Sequence, residues 1–155
     1  MEKIYTAMGL MSGTSLDGID VSIIESDGNR EFSIIFDKYF QYDEGLNQKI
    51  LQVRDKISNS EDLDKYKVEI KDLEREITLS HSKAVNKSLE ICKSHIDLIG
   101  FHGQTIFHNP EKKITKQLGD GQLLSQLTKK KVVYNFRKND LDLSLIHISE
   151  PTRHE

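Results

Sequence analysis

The chain has 155 residues, with 22 Lys and Arg against 25 Asp and Glu and a formal net charge of −3. One domain usually takes roughly 100–200 residues, so this length argues for a single folded unit, although 36% apolar residues is lean for a self-sufficient globule. The mild negative charge argues against nucleic acid as the main partner, the single Cys excludes an intramolecular disulfide framework and fits a reducing cytoplasm, and no apolar run approaches the roughly 18–20 residues that span a bilayer.

Ile4 to Met11 is mostly apolar. Glu2 and Lys3 cancel, so the positive n-region of an export signal is missing, and the run stops at Ser12-Gly13-Thr14. It reads as a buried first strand. Ile19 to Glu25 alternates in part, with Ile19, Val21 and Ile23 on one side. Two such runs around a Gly-rich turn predict a β-hairpin. Asp27-Gly28-Asn29 is a second turn, and Phe32 to Phe40 is a third strand, completing an antiparallel meander.

Leu46, Ile50, Val53 and Ile57 recur at helical spacing and predict a short amphipathic helix. Ser58 with Glu61 forms a candidate capping box for the next helix. Leu63, Tyr66, Ile70, Leu73 and Ile77 continue at steps of 3 and 4, and the stripe runs on through Val85, Leu89 and Cys92. This predicts one long domain helix of about thirty residues rather than a coiled coil, because the register drifts. Ile96 to Phe101 is a short apolar strand leading into His102-Gly103-Gln104-Thr105. Ile114 to Leu118 returns as a strand, Asp120 caps a helix from Gly121 to about Thr128, and Val132 to Phe136 is the last strand. The order predicts an α/β domain with a mixed sheet and flanking helices.

The first hairpin turn carries the most chemistry. It reads Gly9-Leu10-Met11-Ser12-Gly13-Thr14-Ser15-Leu16-Asp17-Gly18-Ile19-Asp20. Gly13 and Gly18 let the backbone approach a ligand, and successive N–H groups with the hydroxyls of Ser12, Thr14 and Ser15 suit phosphate oxygens. Asp17 and Asp20 would repel bare phosphate but suit Mg²⁺ or its waters. No Gly-Lys-Ser/Thr follows, so this is not a Walker A loop, nor is it a dinucleotide fingerprint. From composition alone, an ordinary tight turn fits as well.

The residue order goes further. The segment Gly9 to Asp20 resembles the opening motif of the bacterial 1,6-anhydro-N-acetylmuramic acid kinases. Ile99 to Thr105, with His108 and Pro110, resembles that family's strand and His-Gly-Gln-Thr loop. Gln117-Leu118-Gly119-Asp120 and Val132 to Asp140 resemble its next two landmarks, in family order, so the resemblance covers Lys3 to about Asp142. Asn135 stands where the family usually has Asp before Phe-Arg.

This resemblance implies one ribonuclease-H-like lobe of a two-lobe sugar kinase of the actin and sugar kinase superfamily, with ATP between the lobes. It implies that water and Mg-ATP are used to open the anhydro ring and phosphorylate O6, giving N-acetylmuramic acid 6-phosphate in cytoplasmic cell-wall recycling. Gly13, Thr14, Ser15, Leu16, Asp17, Gly18, Ile19 and Asp20 would form the first ATP-phosphate loop, with Asp17 and Asp20 toward the metal. The partner is a small amino sugar, with neither nucleic acid nor membrane, and a homodimer of the full-length enzyme is compatible. The family's general-base Asp belongs to the second half, beyond this chain, so no catalytic residue is assigned here and the fragment alone is expected to be inactive.

Sugar-side candidates are His102, Gln104, Gln117 and Arg137. Arg137 suits the lactyl carboxylate, with a surface ion pair to Asp140 as the alternative. His102 suits a sugar oxygen, with a structural strand-end role as the alternative. Gln104 and Gln117 offer both donor and acceptor. His108 lacks the companions of a zinc site, and Lys129-Lys130-Lys131 reads as a solvated helix end. Two other readings are a nucleotide-binding lobe of a non-sugar-kinase assembly protein and a non-functional gene fragment. Leu143 to Arg153 resembles a translated transposon-end sequencing adapter. Residues 143–155 are therefore expected to be a non-native tail with no domain, after a truncated lobe over 1–142.

Overall fold

The computed structural model describes residues 3–135. Three strands open the chain: β1 (Tyr5–Ser12), β2 (Gly18–Ser26) and β3 (Phe32–Gln41). They pair in succession and antiparallel, with Met11 opposite Asp20 and Asp20 opposite Tyr39, so the meander forms as the alternation predicts. Met8, Leu10, Val21 and Ile23 point to one face and are buried, because successive strand side chains alternate between faces.

Three helices then cross back over that face: α1 (Glu44–Lys56), α2 (Ser60–Lys65) and α3 (Lys67–Cys92). Asp43 caps α1 by accepting the Leu46 N–H at 2.8 Å. The cap of α2 is not Ser58 with Glu61 but Asn59, which accepts the Asp62 N–H at 3.1 Å while the Asp62 carboxylate accepts the Ser58 N–H at 2.8 Å. The cap sits one residue later than the spacing predicts, with Asp62 reaching back to the residue before it. The long helix is also divided. Tyr66, at φ −105° and ψ 22°, separates α2 from α3. The apolar stripe does not register this break, because Ile70 N–H still donates to the Tyr66 carbonyl at 2.9 Å.

The crossover delivers β4 (Leu98–Asn109) parallel to β1, with Leu10 opposite Phe101 and Ser12 opposite Gln104. This strand is longer than expected. His102-Gly103-Gln104-Thr105 is not a loop but a bulged part of β4, where Gly103 takes φ +82° and the register to β1 slips. A side chain at 103 would be strained there and would press on the Leu118 carbonyl. β5 (Ile114–Leu118) pairs antiparallel with the second half of β4, as predicted. Asp120 caps α4 (Gly121–Thr128) by accepting the Leu123 N–H at 3.0 Å. The last strand, β6 (Val132–Val133), runs parallel to β4 and is shorter than expected.

The sheet order is β3-β2-β1-β4-β5, with β6 on the first half of β4. An antiparallel meander followed by parallel strands, with helices packed on one face, is the ribonuclease-H-like lobe. Ile50, Ile77, Val85, Ile99 and Phe101 close the core between α1, α3 and the sheet. At roughly 1.5–3 kcal/mol per fully buried large apolar side chain, this layer is what seats the β1–β2 turn.

Candidate functional site

The β1–β2 turn is fixed by its own hydrogen bond and by three from other segments. Its frame is a tight turn in which the Leu16 N–H donates to the Gly13 carbonyl at 3.2 Å. From β4, Gln104 Nε2 donates to the same carbonyl at 3.0 Å. From α1, Asn47 Nδ2 donates to the Leu16 carbonyl at 2.6 Å. Just after β3, the Tyr42 N–H donates to the Asp17 carbonyl at 2.8 Å. Leu16 takes φ +61° and buries its side chain to 2% exposure. Such a backbone conformation is uncommon outside glycine and persists only when its surroundings over-determine it.

What the turn leaves outward is polar. Thr14 and Ser15 are exposed, and neither their N–H groups nor the Thr14 hydroxyl has a hydrogen-bond partner among the described residues. Successive N–H groups left without a partner in a turn are donors of the kind that bind anions. Beside them, one oxygen of Asp17 accepts from Ser15 Oγ at 2.6 Å and from the Tyr39 hydroxyl at 2.5 Å. These two bonds hold the Asp17 carboxyl below the usual carboxylate range. Partial burial, then the bond to Asp17, pushes the Tyr39 hydroxyl up to about 12. Asp17 is thus an ionised carboxylate held in place through one oxygen by Ser15 and Tyr39. Gly18 lets β3 come this close, since a Cβ there would collide with the Tyr39 hydroxyl and the Phe40 carbonyl. We expect Tyr39→Phe to raise the Asp17 pKa toward its unperturbed value. A carbon-detected titration of the Asp17 carboxyl checks this, and an unmoved midpoint would remove Tyr39 from the account.

The structure divides the predicted residues into two groups. The register sets Tyr39, Asp20 and Met11 side by side across β3, β2 and β1 at the turn end of the sheet, and His102 follows Phe101 on β4 at the slip beside Met11. Strand alternation puts them on the face away from the helices. Asp20 is exposed and His102 half-buried, with its Nδ1 donating to the Gly103 carbonyl at 3.1 Å. His102 therefore stands next to the turn, as does Asp20. Leu16 and Ile19 are buried core residues, so only their backbone faces the site.

The expectations for Ser12 and Gln104 are corrected. Ser12 does not present its hydroxyl to the turn: it is 4% exposed, with its Oγ 3.0 Å from His81 Nε2 and 3.1 Å from the Tyr42 hydroxyl. Gln104 is fully buried, and its amide is taken up by Gly13 and Tyr42 rather than presented to a sugar hydroxyl. Gln117 lies on β5 opposite Thr105, donating to the Thr115 hydroxyl at 2.7 Å and the Thr105 hydroxyl at 3.1 Å. Arg137 and the tail 143–155 lie outside the described residues. Tyr39, Tyr42, Asn47 and His81 also hold the site, although residue type and spacing do not mark them as functional. Only His81 leaves a signal in the sequence, as the polar residue between Ile77 and Val85 in an otherwise apolar stripe.

Among the described residues no cluster of three or more His, Cys, Asp or Glu could hold a metal unaided. The set does fit Mg²⁺ held mainly by phosphate oxygens, since that ion commonly uses one or two carboxylates and keeps several waters. No helix among the described residues is long and apolar enough to cross a membrane.

The mixed sheet with its meander and flanking helices is consistent with one lobe of a sugar kinase. A sequence model of the anhydro-N-acetylmuramic acid kinase family matches residues 5–144. The chain is 55% identical over 141 residues to an anhydro-N-acetylmuramic acid kinase of Pelagibacter ubique (strain HTCC1062), covering 91% of this chain and 38% of that protein. It is 40% identical over 151 residues to the enzyme of the same name from Agrobacterium fabrum, covering 91% and 39%. The chain belongs to the anhydro-N-acetylmuramic acid kinase family, and it spans less than two-fifths of the length of the curated relatives it matches.

Proposed function

We propose that this chain is the N-terminal lobe of a cytoplasmic, Mg-ATP-dependent kinase. The enzyme opens the 1,6-anhydro ring of anhydro-N-acetylmuramic acid with water and phosphorylates O6, and the product enters cell-wall recycling. Family membership supports the substrate class. The observation that carries the role of this lobe is the turn with its outward Thr14 and Ser15 N–H groups, braced from β3, β4 and α1.

Phosphoryl transfer is mostly positioning and charge stabilisation. A turn whose donors are already aimed spends no reorganisation on meeting the phosphates. Thr14, Ser15 and the Gly13 backbone bind phosphate oxygens. Asp17, with one oxygen held by Ser15 and Tyr39, and Asp20 on β2 would hold Mg²⁺ or its waters, and the ion would supply charge neutralisation. His102 and Gln117 belong to the sugar side, and Arg137 would meet the lactyl carboxylate. The water that attacks the anomeric carbon needs a general base. The second half of the family enzyme provides it, so the present chain alone makes no product. A homodimer belongs to that longer enzyme, and nucleic acid is not a partner.

A chimera tests this. Residues 1–135 replace the matching part of the Pelagibacter relative, and product is followed by phosphate transfer from ATP to the anhydro sugar. We expect turnover by the chimera and none by the 155-residue chain. A folded chimera that binds neither ATP nor sugar would reject the assignment of this lobe.

A further inference from the structure

A line of buried polar groups runs beneath the turn, and the reading above gives it no role. His81 on α3 and Gln104 on β4 are both 0% exposed. His81 Nδ1 lies 2.8 Å from the Ile77 carbonyl and donates to it, because a carbonyl only accepts. Burial pushes the imidazole pKa down to about 4, so the ring is neutral near pH 7 and Nε2 is an acceptor. Ser12 Oγ, 3.0 Å away, donates to that nitrogen. Its oxygen is then free to accept from the Tyr42 hydroxyl at 3.1 Å.

Gln104 is oriented from the opposite end. Its Nε2 donates to the Gly13 carbonyl at 3.0 Å, which turns its Oε1 toward the Tyr42 hydroxyl at 3.2 Å. A tyrosine hydroxyl has one proton. Because His81 draws the Ser12 proton to its own Nε2, Ser12 cannot donate to Tyr42 and stands beside Gln104 Oε1 as a second acceptor for the tyrosine proton. The line thus starts in the third helix and ends on the carbonyl that frames the turn.

We propose that His81 is a positioning residue for phosphate binding: acting through Ser12, Tyr42 and Gln104, it sets where the Gly13 carbonyl, and with it the Thr14 and Ser15 N–H groups, stand. This rests on the reading of the turn as a phosphate loop. Replacing buried, hydrogen-bonded polar groups by apolar ones of similar shape can be nearly neutral in stability. Placement of the turn, rather than stability, is therefore the property that separates this role from a merely structural one.

The test uses the ¹⁵N-labelled 155-residue chain titrated with inorganic tripolyphosphate and with Mg-ATP. Amide shifts of Gly13, Thr14 and Ser15 are read free and bound. His81→Leu should displace the free shifts and weaken tripolyphosphate binding by about fivefold, the worth of one net hydrogen bond. His81→Gln, which keeps an acceptor for Ser12, should restore both. Tyr42→Phe removes a single hydroxyl and should act in the same direction as His81→Leu, so it decides the matter if the leucine variant does not fold. Wild-type shifts and affinity in either folded variant would overturn the proposal, as would failure of His81→Gln to restore them. If the wild-type chain ignores tripolyphosphate, the phosphate-loop reading fails. The free amide shifts still decide the coupling: displaced in the variants they support it, unchanged they refute it.

Discussion

Phe101→Ala should cost about 3–5 kcal/mol of folding stability, the range for deleting a buried phenyl ring. Phe101 is 1% exposed and lies where β4 meets α3 and the β5–α4 junction. Its ring stands edge-on to His81, with centroids 4.9 Å apart at 61°. Gly119 lies so close that a Cβ there would strike the ring, 2.5 Å from its Cζ. The cavity cannot collapse easily, because the β5–α4 junction beside the ring is tied down. Gly119 N–H donates to Glu74 at 3.0 Å, and Asp120 N–H donates to the Thr78 hydroxyl at 2.9 Å. Net stability of a domain is commonly about 5–15 kcal/mol, so this one change removes a large share of it. Urea denaturation of the two chains checks the figure. A loss under about 1 kcal/mol would mean that the ring is not packed as described.

The second large effect is a fall in stability between pH 6.5 and 4. Burial lowers the His81 pKa from 6.5 to about 4. As pH drops, the unfolded chain takes up the proton first, so the folded state loses ground. The contribution of this group is complete above pH 6.5 and is lost progressively as pH falls through 4. A shift of this size corresponds to about 3 kcal/mol. Asp17 and Asp97 also have lowered pKa values, from hydrogen bonds with Ser15 and with the Thr6 N–H respectively. Those carboxylates protonate below the histidine window and add their losses at more acid pH. Stability measured by urea at steps from pH 7.5 to 4.5 should therefore slope downward in the native chain, and the slope should flatten in His81→Gln. Equal slopes would contradict a buried neutral imidazole.

Much of the architecture is legible in the sequence because it follows local periodicity. The meander, the β5 strand and the Asp120 cap each depend on residues within one turn or one strand. Tyr66 is harder to read, since a single non-helical residue leaves the stripe of Leu63, Ile70 and Leu73 in step. β4 is harder still. Gly103 in a positive-φ bulge looks like loop sequence, yet β5 pairs on past it, and only the partner strand reveals that.

The site divides on the same ground. Gly13 to Asp20 is contiguous, so its chemistry can be read directly. What holds it is not contiguous: Tyr42, Asn47, His81 and Gln104 come from 30 to 91 residues away in the chain. Gln104 illustrates the limit. Its type suits hydroxyl recognition, but type alone does not show that Ser12 and Gln104 face inward at the slip between β1 and β4. The resemblance to a kinase family located the turn, and the register explains why the turn is rigid.

A crystal structure of the chimera with magnesium and a non-hydrolysable ATP analogue tests the central claim most directly. The account predicts phosphate oxygens within about 2.7–3.2 Å of the Thr14 and Ser15 nitrogens, with the metal on the Asp17 side. A nucleotide seated with its phosphates away from the β1–β2 turn would contradict it.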